Sequence, residues 1–247
     1  MPITTQTTLA GIDLAWQGDK NPSAIAIGSL EGKRLTLEEL EPAVYGMSNV
    51  LTSLNQYADL TGIAIDAPLI INNPRGQRAC ENALGRDYAS RKSSCHPSNQ
   101  SLYPNSQSVY LASLLKKQGF QHLSTSKWQI ECYPHPSIIE CFALPERLLY
   151  KKGKVAQKKA GQVELAKLLL SLAQSKVLSL QIPASFQKFL AESYINNLKG
   201  QALKSNEDAL DAMICLYIAG LYQNQVPSTA YGNTDDGYIW VPQVKCI

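Results

Sequence analysis

The chain has 247 residues, of which 45% are hydrophobic and 17% are charged. This composition is typical of soluble globular proteins and excludes a disordered or fibrous chain, and the length suffices for one full hydrophobic core. The formal net charge of +3 permits an anionic partner without requiring one, so the distribution of the charges must decide.

Neither a membrane span nor a disulfide framework is predicted. The sequence contains no apolar run near the roughly 18 residues that cross a bilayer, and its first residues lack the pattern of a signal peptide, so we expect a cytoplasmic protein. The six cysteines include no CxxC pair, which favours reduced thiols. Cys132, His135 and Cys141 are close in sequence, but buried thiols are a better interpretation than a zinc site because no paired ligand motif or fourth ligand is evident.

The start of the chain predicts a three-stranded meander followed by a helix. Residues 8–16 and 23–30 are compact apolar runs separated by a polar turn, and residues 33–37 alternate as a third strand would. Apolar side chains then recur at spacings of three and four over residues 42–57, which indicates an amphipathic helix with Pro42 in its first turn.

The rest of the chain predicts a buried strand, a long insertion and a helical second half. Residues 61–69 form a nearly continuous apolar run, typical of a strand buried on both faces. Residues 70–126 show little periodicity apart from one helix, and we interpret them as an inserted loop and helix region. The later predicted elements are a helix at 107–118, a strand at 128–133, helices within 162–175, 185–197 and 207–222, and an added strand in 234–243. This order indicates a single α/β domain built on a mixed sheet.

Two aspartates interrupt the apolar strands. Asp13 lies in the middle of the first strand (GIDLAW) and Asp66 lies in the fourth (IAIDAPL), where a desolvated charge is costly unless something compensates it. Each could instead begin a turn or accept backbone hydrogen bonds at a strand end. Because both lie near the expected carboxyl ends of their strands, where the ligand sites of α/β proteins gather, a metal-binding pair is the favoured interpretation.

A third acidic element lies in the segment SNEDALDAMICLYIA. It places Asp208 and Asp211 three residues apart, on one face of a helix. Ser205 or Asn206 could cap this helix and leave Asp208 in the first turn, where the helix dipole favours an anion. Asp211 has apolar neighbours on nearly every side of the helix, so we expect it to face the mouth of the core.

Four carboxylates from two strands and a helix supply the oxygen ligands that hard divalent cations prefer. Asp13, Asp66, Asp208 and Asp211 therefore predict Mg²⁺ or Mn²⁺ as the cofactor. Two such ions roughly 4 Å apart could clamp a scissile phosphate, activate a water as nucleophile and stabilise the leaving 3′ oxygen.

The segments GIDLAW, AIDAPL, ECYPHPS and EDALDAMICLYIA, in this order, resemble those of a predicted RNase H-like nuclease family, domain of unknown function 429. The resemblance runs from Gly11 to about Tyr222. It implies a five-stranded mixed sheet in the order 3-2-1-4-5, similar to that of Holliday-junction resolvases. It also implies metal-ligand roles for the four aspartates, and makes Glu131 an additional ligand or a water-orienting group.

Two basic regions could contact a phosphate backbone, one after the Asp66 strand and one in the segment RLLYKKGKVAQKK. Together they hold nearly half of the 23 lysines and arginines, a concentration that suits an anion-binding rim, although a solvated surface explains the lysines equally well. Tyr88, Tyr103 and Tyr150 could stack on bases, although isolated aromatic residues more often pack in the core. The candidate substrate-binding residues are Arg75, Arg78, Arg86, Lys151, Lys152 and Lys154.

Three functions are compatible with these features. The leading hypothesis is metal-dependent phosphodiester hydrolysis of nucleic acid, either DNA or RNA. A non-catalytic member of the fold that binds nucleic acid or protein would keep the basic rim, while its carboxylates balance neighbouring charges. A phosphohydrolase or phosphotransferase acting on a small metabolite ranks third, because the sequence has no glycine-rich phosphate loop.

Overall fold

The computed structural model describes residues 6–16 and 20–247, which form a mixed α/β fold around a central sheet of seven strands. The strands are β1 (Thr7–Asp13), β2 (Ser23–Glu31), β3 (Arg34–Val44), β4 (Leu60–Asp66), β5 (Gln121–His122), β6 (Trp128–Glu131), β7 (Ser179–Gln181), β8 (Ser228–Asn233) and β9 (Gly237–Pro242). The α-helices are α1 (Met47–Asn55), α2 (Ala79–Tyr88), α3 (Gln107–Lys117), α4 (Pro134–Cys141), α5 (Val155–Ser171), α6 (Glu192–Asn197) and α7 (Gly200–Gln223), with 3-10 turns at Leu172–Gln174 and Gln187–Leu190.

The central sheet has the strand order β5-β6-β4-β1-β2-β3-β7. Strands β1, β2 and β3 pair antiparallel, which confirms the predicted meander, and β4 and β6 extend the sheet in parallel from β1. The prediction of five strands was too low, because the short strands β5 and β7 add one strand at each edge. The predicted strand near the chain's end is β9, which pairs with β8 in a separate hairpin.

Helices cover both faces of the sheet. The two faces follow from the alternation of side chains along a strand. On β1, Leu9 packs in the core that contains α5 and α7, whereas its neighbours Ala10 and Ile12 pack in the core that contains α1 and α3. The central strands are therefore buried on both sides, as their continuous apolar sequence predicts.

Strand β3 is longer than predicted, and it replaces the first turns of the predicted helix. The strand runs to Val44, so Pro42 lies in a strand and not in the first turn of α1. Val44 pairs with Ser23 and Glu41 pairs with Ile25, so the register shifts at Pro42. A proline is tolerated at such a bulge because no ladder hydrogen bond needs its missing N–H.

Two helices were not predicted from the sequence. Helix α2 lies inside the inserted region and begins where the Arg78 backbone N–H donates to Glu81 Oε2 at 2.9 Å. Helix α4 begins at Pro134, which we expected only to end a strand, although proline is also favoured in a first helical turn. Helix α5 begins earlier than predicted, and the predicted helix at 185–197 is a 3-10 turn followed by the short helix α6.

Helix α7 also begins earlier than predicted, at Gly200 and not near Ser205 or Asn206. Asp208 therefore lies in the third turn, beyond the backbone N–H groups that favour an anion at a helix start. The dipole explanation for Asp208 is thus wrong, and its charge must be compensated by side chains.

All six cysteines are free, with no disulfide between them, and five of them are buried. Cys132 and Cys141 lie in the main core as small hydrophobic side chains, as the sequence indicated. Within the described part of the chain, no helix has both the length and the apolar content to cross a membrane.

The position of α7 depends on a glycine in β1. A Cβ atom at Gly11 would overlap the backbone nitrogen of Leu216 and would lie 2.5 Å from the Ala212 carbonyl oxygen. The backbones of β1 and α7 are therefore in direct contact. This contact brings the acidic part of α7 to the end of β1.

Replacing Gly11 by alanine should destabilise the protein, because the added methyl group must push α7 away from β1. We expect the free energy of unfolding to fall by about 3 kcal/mol, the upper part of the usual range for an overpacked core. Urea denaturation measures this loss.

The matched control for Gly11→Ala is Gly85→Ala in α2. No atom lies within 4 Å of a Cβ at Gly85, so the same change should be neutral or should stabilise the helix by up to about 1 kcal/mol. Equal stability of Gly11→Ala and the wild type would contradict the direct contact between β1 and α7.

Candidate functional site

Asp13 and Asp66 lie side by side at the carboxyl ends of two parallel strands. Asp13 is the last residue of β1, and not in the middle of a strand as expected, and Asp66 is the last residue of β4. The two residues are direct partners in the register of these strands. Their side chains therefore leave the same edge of the sheet on the same face.

Helix α7 adds two further carboxylates to this pair. Asp208 and Asp211 are both buried. The carboxyl groups of Asp13 and Asp208 share a hydrogen bond, and the charge of Asp211 acts on both strand aspartates. The structure thus brings together the four aspartates that the sequence singled out.

Two lysines compensate part of this charge. Lys151 Nζ lies 2.7 Å from Asp211 Oδ2 and 3.5 Å from Asp66 Oδ2. Lys204 Nζ lies 2.6 Å from Asp208 Oδ1, one helical turn away, and 2.8 Å from Glu207 Oε1. Five carboxylates therefore face two ammonium groups, which leaves an excess of negative charge.

Burial shifts the protonation of these aspartates. Loss of solvent is the largest cause, and it raises the pKa of Asp13, Asp66 and Asp211 from 3.8 to about 7. The Lys151 ammonium acts in the opposite direction on all three carboxyl groups. The negative charge is thus only partly stabilised by the protein itself, and a further cation would stabilise it.

Asp13 lies between two open cavities. One cavity, of about 250 Å³, is lined by Asp66, Lys151 and residues of the inserted region, and the other, of about 220 Å³, is lined by Asp208 and Lys204. Both cavities include Asp13 and the aromatic ring of Trp16. Small molecules and ions can therefore reach the carboxylates from two sides.

Glu131 takes part in a buried ion-pair network. Arg78 Nη2 donates to Glu131 Oε1 at 2.6 Å and Nη1 donates to Oε2 at 2.9 Å, while Arg78 Nε donates to Glu81 Oε1 at 2.8 Å. The backbone N–H of Leu69 adds a further hydrogen bond to Glu131 at 2.9 Å. The Arg78 guanidinium also donates to the Ile70 carbonyl oxygen. This network fixes the inserted region to the sheet beside the aspartates.

The other predicted basic residues lie at the surface. Lys152 is exposed, and its ammonium lies 3.4 Å from His96 Nε2 at the rim of the larger cavity. Arg75, Arg86 and Lys154 are exposed and do not line either cavity. Of the six predicted substrate-binding residues, Lys151 and Arg78 line the larger cavity.

Sequence reasoning missed three residues of this site. Lys204 is four residues before Asp208 on one helix, a spacing that does predict an ion pair. Tyr150 was considered for stacking on bases, but it is fully buried and its hydroxyl donates to Asp211 Oδ1 at 2.6 Å. Trp16 packs against Tyr103 with ring centroids 4.3 Å apart, and no signal in the sequence indicated this pairing.

The donor set suits a hard divalent cation in its chemistry and charge. The four aspartates offer only oxygen, the ligand that Mg²⁺ and Mn²⁺ prefer. Among residues 6–16 and 20–247, however, no three His, Cys, Asp or Glu side chains converge as they stand on a point that could hold a metal ion. The ammonium groups of Lys151 and Lys204 lie against the carboxylates, so metal binding requires at least one of them to move.

The metal-free protein should lose stability as the pH rises through about 7. The unfolded chain releases the protons of Asp13, Asp66 and Asp211 near their ordinary pKa of 3.8, whereas the folded protein keeps them to about 7. Between these values the folded state binds more protons, so stability falls as the pH rises. Each of these carboxyl groups contributes a loss of about 1.4 kcal/mol per pH unit between about pH 5 and 7, and a loss of about 1 kcal/mol lowers the melting temperature of a chain of this length by roughly 2–4 °C.

Thermal unfolding in a chelator, from about pH 5 to about pH 8, measures this dependence. Asp13→Asn should reduce the slope, because one of the three carboxyl groups no longer ionises. Asp59→Asn, at an exposed position before β4, should keep the wild-type slope. A melting temperature that rises over this interval would contradict the shifted pKa values.

Comparison with protein families gives one finding. The sequence model of the family described as "Protein of unknown function (DUF429)" matches residues 11–234, a segment that contains all four aspartates. Comparisons with curated proteins and with solved structures give no match. Membership of domain of unknown function 429, which the resemblance indicated, is confirmed, and the chain belongs to the DUF429 family.

Proposed function

We propose that this protein is a metal-dependent nuclease with an RNase H-like fold, which hydrolyses phosphodiester bonds in nucleic acid. One observation carries the proposal. Asp13, Asp66, Asp208 and Asp211 come from two adjacent parallel strands and a helix to neighbouring positions, and the first three line the two open cavities that share Asp13. Buried carboxylates are costly, and their convergence at a cavity is explained by a cation that binds there.

The arrangement of the strands supports the RNase H-like assignment. The consecutive strands β3-β2-β1-β4-β6 carry an aspartate at the end of β1 and another at the end of β4. The long helix α7 then supplies two more acids, as the resemblance implies. Strands β5 and β7 are short additions at the edges of this arrangement.

The residues that would hold a divalent cation are Asp13, Asp66 and Asp208. When bound, Mg²⁺ or Mn²⁺ would act as a Lewis acid toward a phosphoryl oxygen. The protein's own residues would place the phosphate: Lys151 offers an ammonium within the carboxylate cluster, and Lys152 offers one at the rim. The Arg78–Glu131 ion pair would hold the inserted region in place over the cavity.

The surroundings of the cavity favour nucleic acid as the substrate. The Trp16 and Tyr103 rings lie together, and Trp16 also lines both cavities that contain Asp13. A groove lined by residues 102–107 continues from Trp16 away from the aspartates. Aromatic rings beside a phosphate site suit an extended strand, whose bases stack while its backbone reaches the cation.

Replacing Asp66 by asparagine should abolish cleavage, because a neutral amide holds a divalent cation less tightly than a carboxylate does. We expect the rate on single-stranded and branched DNA and RNA in Mn²⁺ to fall at least about 100-fold, on the order of 3 kcal/mol in transition-state stabilisation. A nuclease assay with calorimetric titration of Mn²⁺ measures both effects.

Asp59→Asn is the matched control, since Asp59 precedes β4 at the opposite end of the strand from Asp66. It should cleave and bind Mn²⁺ as the wild type does. Equal cleavage by Asp66→Asn and the wild type would contradict the proposal. Absence of cleavage from the wild type on all four substrates, with nucleic acid still bound, would favour the non-catalytic member of the fold, in which lysines alone balance the carboxylates.

Replacing Trp16 by alanine should weaken nucleic-acid binding, because a stacking surface is lost beside the site. We expect affinity for a single-stranded oligonucleotide to fall about 5- to 150-fold, the range for one stacked base of roughly 1–3 kcal/mol. Fluorescence anisotropy in the Asp66→Asn background separates binding from cleavage. Trp16→Phe keeps an aromatic face and should retain most of the affinity, whereas equal losses in both variants would contradict stacking.

A further inference from the structure

The consecutive residues Tyr150 and Lys151 contact the two carboxylate oxygens of Asp211. Tyr150 donates its hydroxyl to Asp211 Oδ1 at 2.6 Å, and Lys151 Nζ lies 2.7 Å from Oδ2 as an ion pair without the alignment of a hydrogen bond. Two consecutive residues thus engage both oxygens of one buried carboxylate. Asp211 is therefore committed to the protein's own groups and is poorly placed to serve as a metal ligand.

Lys151 also bridges the helix to the sheet. Its ammonium lies between Asp211 of α7 and Asp66 of β4, 3.5 Å from the latter. Only 23% of its side chain is exposed, against 52% for Lys204. The Lys151 ammonium therefore already occupies the position between Asp66 and Asp211 that a second divalent cation would need.

The backbone beside Lys151 has little freedom to withdraw. Tyr150 is fully buried and packs against His135, with ring centroids 5.2 Å apart. Helix α5 approaches the segment so closely that a Cβ at Gly161 would overlap the Leu149 carbonyl oxygen. These contacts fix the backbone that carries Lys151, and Asp66 and Asp211 hold its ammonium group.

We propose that Lys151 takes the place of the second metal ion, so that the site binds a single divalent cation between Asp13, Asp66 and Asp208. The proposal rests on the proposed function and changes its mechanism from two ions to one ion and one lysine. The Lys204 ammonium is the one that moves aside, since this side chain is half exposed and lies on the same helix as its partners Glu207 and Asp208. Lys151 stays and faces the phosphate as a fixed cation.

The test is the number of Mn²⁺ ions that each protein binds. Calorimetric titration of the wild type should saturate at a single ion, and electron paramagnetic resonance should show an isolated Mn²⁺. Lys151→Met should bind two ions, because the carboxylates of Asp66 and Asp211 lose their cation, and the spectrum should show two ions coupled at roughly 4 Å. Lys154→Met, at an exposed lysine that lines neither cavity, should bind one ion as the wild type does.

Two further measurements keep the test decisive if Lys151→Met folds poorly. Lys151→Arg retains the positive charge and should still bind one ion. The wild type is itself informative, because two coupled ions in the wild type would overturn the proposal without any variant. The melting temperature should also rise more with Mn²⁺ in Lys151→Met than in the wild type, since binding stabilises the folded state by mass action.

The outcomes separate this proposal from the proposed function. One ion in both the wild type and Lys151→Met would overturn the role of Lys151 and leave a metal-dependent nuclease. Absence of Mn²⁺ binding in the wild type and in Lys151→Met would overturn both. The number of bound Mn²⁺ ions can be measured whether or not the protein cleaves nucleic acid.

Discussion

The direct contact between strand β1 and helix α7 is the constraint on which the site depends. At Gly11 the two backbones touch, and a side chain of any size would separate them. At Gly28 on the neighbouring strand β2, a Cβ atom would likewise lie only 2.9 Å from the Leu216 side chain of α7. Because Gly11 and Gly28 have no side chains, α7 packs close enough to the sheet for its aspartates to reach Asp13. The geometry of the candidate site therefore depends on two glycines that take no part in its chemistry.

The ion pairs of the site follow from the packing of α7 on the sheet. The face of α7 that packs on the sheet is buried, and Asp208 and Asp211 are buried with it. Each is met by an ammonium, Asp208 by Lys204 from its own helix and Asp211 by Lys151 from a distant segment. The buried Arg78–Glu131 pair repeats this pattern beside the site, with every charged group matched by hydrogen bonds.

Much of this arrangement could be predicted from the sequence, and the misses have physical causes. Asp13 and Asp66 were evident because a charge in an apolar strand is conspicuous, and the sheet then makes them neighbours. The length of β3 was missed because Pro42 normally excludes a strand, and only a bulge permits it. Lys151 was found as a basic residue, but its partners come from β4 and α7, and no local pattern reveals a contact over such separations.

The sequence positions of the site residues also govern when the site can form during synthesis. Asp13 and Asp66 leave the ribosome before Lys151, and Asp208 and Asp211 follow Lys151, close to the end of the matched family segment. Until α7 emerges, the apolar face of the sheet that it covers has no partner, and the two strand carboxylates stand without the rest of the cluster. A nascent chain would therefore expose an aggregation-prone sheet and lack an assembled acidic centre until α7 has emerged and docked, which makes α7 docking a step at which chaperones would act.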